Sequence, residues 1–163
     1  HTRYIGDWSS DVCSSDLAAS RRRAPLLQRE RTDSARLVFS EADGVPGLVA
    51  DRYADTVVFQ LTTAGAEHWR DVIIDALAAL PGVRTVHERS DAEVREREAL
   101  PARVGTVHGP NPSPDLVAHE AGFRFAVDPT AGHKTGFYLD QRNARRAVEH
   151  WATDRREIGR AHV

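Results

Sequence analysis

The feature that most constrains the fold is a set of short apolar segments, separated by turn residues and followed by one helical stripe. Strands are predicted at Arg36–Ser40, Gly47–Asp51 and Thr56–Leu61, where β-branched and apolar residues lie between Asp-Gly and Pro turn signals. Apolar residues then recur at helical spacing over residues 69–80, and Pro81 ends that helix. This order predicts an α+β fold, with a small mixed or antiparallel sheet and a covering helix.

The same alternation continues towards the middle of the chain. Further strands are predicted at Thr85–Glu88 and Val104–His108, and a proline-rich loop over residues 109–114 follows the second of them. Between these strands, Ser90 and Glu93 have the spacing of a capping box, which predicts the start of a short charged helix.

A hairpin and a last helix complete the pattern. The hairpin spans residues 116–127 and turns at Ala121-Gly122, which sets three apolar residues on one face: Phe123, Phe125 and Val127. The helix begins near Asp140, and its apolar stripe contains Ala144, Val148 and Trp151.

The two ends of the chain are related through their coding sequences. Asp11–Leu17 can be encoded by a string whose reverse complement encodes Glu157–Val163. Such a string resembles a sequencing adapter, so we expect residues 1–17 and 157–163 to be adapter-derived and exclude them from the fold prediction. Cys13, the only cysteine, lies in the excluded part, so no disulfide or thiolate site is proposed.

The net charge of the remaining segment limits which partners it can attract. The excluded ends hold two arginines and four carboxylates, so 20 of the 22 basic and 20 of the 24 acidic side chains remain. A neutral segment attracts RNA only through local basic patches, and residues 18–31 and 134–146 are the candidates. For residues 18–31 a solvated charged face is the simpler interpretation. No apolar run approaches the length of a membrane span, so we expect a cytoplasmic protein without membrane contact.

The richest cluster of chemically active side chains is residues 132–146. Two glycines flank Lys134-Thr135, two aromatic residues follow, and an amide and three arginines begin the last helix. Aromatic rings beside amide and guanidinium groups suit a flat heterocycle that is stacked upon and hydrogen-bonded. The simpler interpretation is a loop that leads into an amphipathic helix with a solvated basic face. A phosphate-binding P-loop is rejected, because position 127 is valine instead of the required glycine.

Other titratable residues give weaker indications. The six histidines between residues 68 and 150 are scattered, and none forms a helical metal-binding pair, so no metal site is predicted. Asp51 and Asp55 are candidates for acid–base chemistry only if they meet in a cleft. Asp128 and Asp140 are more simply a turn residue and a helix N-cap.

Several blocks of sequence resemble one protein family. Gly132–Asn143 is similar to the segment that precedes the methyltransferase domain in S-adenosylmethionine-dependent 23S ribosomal RNA methyltransferases, a family that includes cytosine-5 enzymes with an N-terminal PUA domain. Further similar blocks are Phe39–Tyr53, Thr63–Glu67 and Glu88–Arg95, and together they extend the resemblance over residues 35–153.

The resemblance implies a division of the chain into domains. Residues 18–34 would be a linker or helix remnant after a missing PUA domain, and residues 35–128 a small α/β middle domain. Residues 129–156 would begin a truncated Rossmann-like methyltransferase domain. The glycine-rich cofactor loop and the catalytic residues would lie beyond Arg156, so we expect the fragment itself to be inactive.

The resemblance also implies a function, which is methyl transfer from S-adenosylmethionine to a base of 23S ribosomal RNA, with cytosine C5 favoured over guanine N7. The alternative is a non-catalytic RNA-binding or spacer module, and the oligomeric state is not predicted. The residues implied to contact the cofactor are Phe137, Tyr138 and Gln141. Those implied to contact RNA are Lys134, Arg142, Arg145 and Arg146.

Overall fold

The computed structural model describes residues 22–23, 25 and 27–153, and the predictions for the two ends, residues 1–17 and 157–163, lie outside them. Five strands form one mixed sheet in sequence order, with β3 and β4 parallel and the other pairs antiparallel. The strands are β1 (Ser34–Phe39), β2 (Leu48–Tyr53), β3 (Thr56–Leu61), β4 (Thr85–Ser90) and β5 (Arg103–His108). The predicted α+β class and all five strands are confirmed.

The crossover from β3 to β4 covers one face of the sheet, as parallel neighbours require. It contains α1 (Ala64–His68) and α2 (Arg70–Ala78) instead of the single helix predicted over residues 69–80. The helical segment starts earlier because the Thr63 side chain caps it, accepting a hydrogen bond from the Ala66 N–H at 3.2 Å. Ile73 and Leu77 of α2 are buried against the sheet and form the larger hydrophobic core with it.

The predicted hairpin is confirmed, but it is not part of the main sheet. β6 (Val117–Glu120) and β7 (Phe123–Ala126) form a separate two-stranded sheet over the other face. A second core there consists of Tyr53, Val58, Leu116, Ala118 and Val127. Of the three apolar residues predicted on one hairpin face, Val127 is buried, Phe125 is half-buried and Phe123 is exposed.

The predicted capping box is wrong. Ser90 belongs to β4, and its buried hydroxyl accepts a hydrogen bond from the Leu61 N–H at 2.9 Å. The short helix α3 (Val94–Arg97) has no side-chain cap and is instead held by Arg95, whose guanidinium is buried. Arg95 donates to the carbonyl oxygens of Leu61 and Pro101, each at 2.6 Å. A tertiary contact therefore replaces the local cap.

The last helix begins with a 3₁₀ turn (Leu139–Gln141) and continues as α4 (Arg142–Ala152). The predicted N-cap at Asp140 is wrong, because its carboxylate accepts a hydrogen bond from Lys134 Nζ at 2.7 Å instead of from the helix backbone. The predicted apolar stripe exists, but Val148 and Trp151 are exposed. Val148 lines a groove of about 630 Å³ between α4 and β7.

Candidate functional site

The segment between the hairpin and α4 is a loop, residues 128–138, that the carboxylate of Asp128 organises at its start. This carboxylate accepts hydrogen bonds from the N–H groups of Thr130 and Ala131, each at 2.9 Å, and from the Thr130 hydroxyl at 2.7 Å. The bonds from Ala131 and Thr130 lower the pKa of Asp128 to about 2, because they stabilise the charged form. The predicted turn role of Asp128 is confirmed.

Two glycines allow the loop to fold back on itself. Gly136 has a φ of +125°, and a Cβ there would lie 2.9 Å from the Asp128 carbonyl oxygen. A Cβ at Gly132 would clash with the same oxygen. The Gly132 carbonyl in turn accepts a hydrogen bond from Arg89 at 2.8 Å, which ties the loop to β4. The glycines therefore serve close backbone approach within the protein.

The side chain of Thr135 points inward and is fully buried. Its hydroxyl donates a hydrogen bond to Asp51 Oδ2 at 2.6 Å, and Tyr53 Oη lies 2.8 Å from the same hydroxyl. Arg36 closes the network with two hydrogen bonds to the Asp51 carboxylate, at 2.8 and 2.9 Å. Burial raises the pKa of Tyr53, so its phenol stays protonated and can donate.

Two neighbours of Thr135 in the loop are accessible to solvent. Tyr138 is 39% exposed, and Lys134 Nζ lies 4.8 Å from the centre of its ring. The His133 ring centre is 5.7 Å from that of Tyr138. Lys134 also pairs with Asp140 at 2.7 Å. The structure thus brings predicted RNA-binding Lys134 and predicted cofactor-binding Tyr138 onto one surface, where an aromatic ring and a cation are available together.

Phe137 lies elsewhere and packs against the second core. Its ring centre is 5.1 Å from that of Phe125, and the guanidinium of Arg145 lies 4.7 Å above it. The side chain of Gln141 is exposed and borders the groove between α4 and β7. The three predicted cofactor residues therefore occupy three neighbouring environments instead of a single pocket among the described residues.

Two of the predicted RNA-binding arginines converge on one buried carboxylate, that of Glu120. Arg142 Nε donates to it at 2.8 Å, and Arg145 donates from Nε at 3.0 Å and from Nη2 at 2.7 Å. Burial alone would raise the pKa of Glu120, but the hydrogen bonds and charges of Arg145 and Arg142 hold that pKa below its ordinary value. Arg146 pairs with Glu30. All three guanidinium groups thus already have carboxylate partners within the protein.

Sequence reasoning missed the residues that hold this loop in place. The sequence indicates Asp51 only as a candidate for acid–base chemistry and Thr135 only as part of the Lys134-Thr135 pair, and it assigns no role to Tyr53 or Glu120. One signal was present, because Asp51 and Tyr53 are two residues apart on a strand and must share a face. What they contact on that face lies more than 80 residues away.

Two further properties of the described residues bear on function. No three histidine, cysteine, aspartate or glutamate side chains among them come together as a possible metal site. No helix in the same part of the chain is both long and apolar enough to cross a membrane.

The fold matches a segment of solved methyltransferase structures. SMU.776, assigned as a methyltransferase and crystallised in complex with SAH, superimposes with a TM-score of 0.71 over 86% of this chain and 35% of its own, at 21% sequence identity. A Streptococcus mutans protein assigned as SAM-dependent methyltransferase gives 0.73 over 90% of this chain and 37% of its own, at 20% identity. At these identities the likeness concerns the fold.

Sequence comparison finds relatives that are named ribosomal RNA methyltransferases. The chain is 44% identical over 140 residues to ribosomal RNA large subunit methyltransferase I of Aeromonas salmonicida, which covers 86% of this chain and 35% of that protein. It is 44% identical over 123 residues to the protein of that name from Shewanella amazonensis, or 76% of this chain and 31% of the relative. The chain therefore spans about a third of the length of these relatives. No profile of a known protein family matches the sequence.

Proposed function

We propose that this chain is part of an S-adenosylmethionine-dependent enzyme that methylates a base of 23S ribosomal RNA, with cytosine C5 as the favoured target. The observation that carries the proposal is the 44% identity to ribosomal RNA large subunit methyltransferase I. A match of 140 residues in a chain of 163 necessarily includes residues 24–140, and so the whole loop from Asp128 to Tyr138. About two thirds of the relative lies outside the match, and we assign the remainder of the methyl-donor pocket to that part.

In this proposal the loop and the start of α4 form one side of the pocket. Tyr138 offers an exposed ring for stacking on the cofactor or the target base, and Gln141 offers an exposed amide for hydrogen bonds. Phe137 packs against Phe125 and the second core, and so anchors the loop to the hairpin. S-adenosylmethionine, when bound, supplies the methyl group, and the residues of this chain orient it and exclude water.

The basic residues differ in how readily they can meet RNA. The side chain of Lys134 is 39% exposed, and its partner Asp140 is itself exposed, so an RNA phosphate can replace that partner at little cost. Arg142 and Arg145 are more buried and share Glu120. We assign Lys134 and the more exposed Arg146 to direct phosphate contact, and Arg142 and Arg145 to contact at the rim of the site.

A chimera tests the proposal. The matching 140-residue segment of the Aeromonas salmonicida protein is replaced by its counterpart from this chain, and methyl transfer from labelled S-adenosylmethionine to 23S ribosomal RNA is measured. We expect transfer, and mass spectrometry of the modified nucleotide then distinguishes cytosine C5 from guanine N7. A folded chimera that binds RNA with a steep salt dependence but transfers no methyl group would instead support the alternative of an RNA-binding module.

Variants of the chimera test the assigned residues. Substitution of Gln141 by Ala should lower kcat/KM for S-adenosylmethionine about tenfold, the effect of losing one hydrogen bond to a charged or polar ligand group. Because Gln141 is exposed, its substitution should leave the melting temperature unchanged. The matched control is Asn143→Ala, which removes an exposed amide from the same helix at a position that does not line the groove, and it should change neither quantity. Unchanged turnover in Gln141→Ala would remove that residue from the site.

A further inference from the structure

In the hydrogen-bond network of Thr135, Asp51 and Tyr53, the chemistry of the groups determines which of them donates each proton. The Asp51 carboxylate only accepts hydrogen bonds, so the single hydroxyl proton of Thr135 is donated to it, at 2.6 Å. The Thr135 oxygen is then free to accept, and the protonated phenol of Tyr53 donates to it at 2.8 Å. The Phe137 carbonyl oxygen lies 3.3 Å from the phenol and shares the same single proton. One chain of hydrogen bonds thus runs from β2 into the loop.

The base of this network belongs to the rigid sheet. Asp51 is fully buried, and both of its oxygens accept hydrogen bonds from Arg36 on the neighbouring strand β1. Asp51 and Tyr53 sit inside the paired length of β2, between β1 and β3. A hydrogen-bonded group in the middle of a sheet moves little, so the Thr135 side chain that bonds to it is held at a fixed position relative to the sheet.

Thr135 is the loop residue whose side chain reaches this anchor, while Lys134 before it remains accessible to solvent. Lys134 precedes it, with a φ of +55° that turns the chain, and Gly136 follows with a φ of +125°. These two turns bury the Thr135 side chain while Lys134 and Tyr138 stay accessible to solvent. The hydroxyl of Thr135 therefore ties the loop to the sheet at a position between the accessible side chains of Lys134 and Tyr138.

We propose that Thr135, through its hydrogen bonds to Asp51 and Tyr53, is a positioning residue that holds Tyr138 and Lys134 in the geometry required for binding the methyl donor. This inference rests on the proposed function. Thr135 itself touches no substrate, because it is fully buried beneath the loop. Loss of its hydroxyl should allow the loop to open locally, so that part of the molecules present Tyr138 in a position that does not bind.

The test compares four variants. Thr135→Val removes the hydroxyl and keeps the shape, whereas Thr135→Ser keeps the hydroxyl. Tyr53→Phe removes the other side of the same hydrogen bond without altering the loop sequence. The matched control is Ser90→Ala, which deletes an equally buried hydroxyl that bonds to the Leu61 N–H at a different place in the sheet.

The first measurement is hydrogen exchange of the loop amides in the full 163-residue chain. Gly132 N–H and Gly136 N–H are hydrogen-bonded within the loop, to the carbonyl oxygens of Asp128 and His133, so their exchange reports its opening. We expect exchange about tenfold faster in Tyr53→Phe, which loses the hydrogen bond to Thr135, and at least tenfold faster in Thr135→Val, which also loses the one to Asp51. Thr135→Ser and Ser90→Ala should stay within about threefold of the wild type in this loop.

The second measurement is steady-state kinetics in the chimera described above, which separates positioning from general destabilisation. We expect KM for S-adenosylmethionine to rise in Thr135→Val and Tyr53→Phe, by less than the factor by which loop exchange rises, because only the open molecules fail to bind. Thr135→Ser should restore KM and Ser90→Ala should leave it unchanged. An unchanged KM in Thr135→Val, or an equal rise in Ser90→Ala, would overturn the positioning role.

These outcomes keep the two proposals apart. If the wild-type chimera transfers no methyl group, the proposed function fails, while hydrogen exchange in the full chain still decides whether Thr135 restrains the loop. If Thr135→Val does not fold, Tyr53→Phe decides both measurements, because it breaks the network from the sheet side. Exchange that stays at the wild-type rate in Tyr53→Phe would then overturn the inference.

Discussion

Glu120 is the residue whose substitution most directly tests how the hairpin and α4 are held together. Its carboxylate is buried and accepts three hydrogen bonds from Arg142 and Arg145, at 2.7 to 3.0 Å. Glu120→Gln keeps the shape and removes the charge, so the two guanidinium groups lose their shared counter-ion and one of them faces an amide N–H₂. The variant therefore measures the ion pair with little change in packing.

The magnitude follows from burial. Breaking a fully buried ion pair costs about 3–5 kcal/mol, because the remaining charge is left without a partner. Here the side chains of Arg142 and Arg145 are 18% and 21% exposed, so water can reach them in part. We therefore expect a loss of about 2–3 kcal/mol in the free energy of unfolding. For a chain of this size that corresponds to a fall of roughly 4–12 °C in melting temperature.

The assay is urea unfolding of the full chain at pH 7, with Glu149→Gln as the control. The control removes the same charge from an exposed position on α4 and should cost less than about 0.5 kcal/mol. A loss below about 0.5 kcal/mol in Glu120→Gln as well would refute the reasoning. It would mean that the two arginines find equally good partners in water, and that the carboxylate does not join the hairpin to the helix.

The same pair predicts a pH dependence. The pKa of Glu120 is lowered in the folded state from its ordinary 4.5, so the folded state gains stability from the charged form above that pH. That contribution is lost as the pH falls through the lowered pKa. The difference in unfolding free energy between wild type and Glu120→Gln should therefore be constant above about pH 5 and decrease below pH 4.5.

Two further predictions concern the loop. Gly136→Ala should lower the free energy of unfolding by about 1–3 kcal/mol, because φ is +125° and the new Cβ meets the Asp128 carbonyl. The control for the effect of φ alone is Gly44→Ala, because Gly44 has a positive φ but open space around it. The control should lower the free energy of unfolding by less. Asp128→Asn should destabilise the chain above pH 4, and its difference from wild type should disappear as the pH falls through about 2, the folded pKa of Asp128. Equal pH profiles for the two proteins would contradict this assignment.

The strands, the hairpin and the last helix could be predicted from the sequence because each depends on local pattern. Apolar alternation and turn residues are read within a window of a few residues, and the hairpin at Ala121-Gly122 is an example. The capping box at Ser90 and the N-cap at Asp140 failed for the same physical reason. In each case the side chain accepts a hydrogen bond from a group outside the helix, the Leu61 N–H or the Lys134 ammonium, instead of from the helix backbone.

In the candidate site, too, local sequence accounts for some features and distant contacts for others. The sequence by itself determined that glycines, aromatic rings and cations are concentrated in residues 132–146, because this follows directly from the order of the residues. Only the tertiary structure decided that Thr135 faces inward, because its partners Asp51 and Tyr53 are 84 and 82 residues away from it. Hydrogen bonds between residues so far apart form only once the sheet exists, and no local pattern records them.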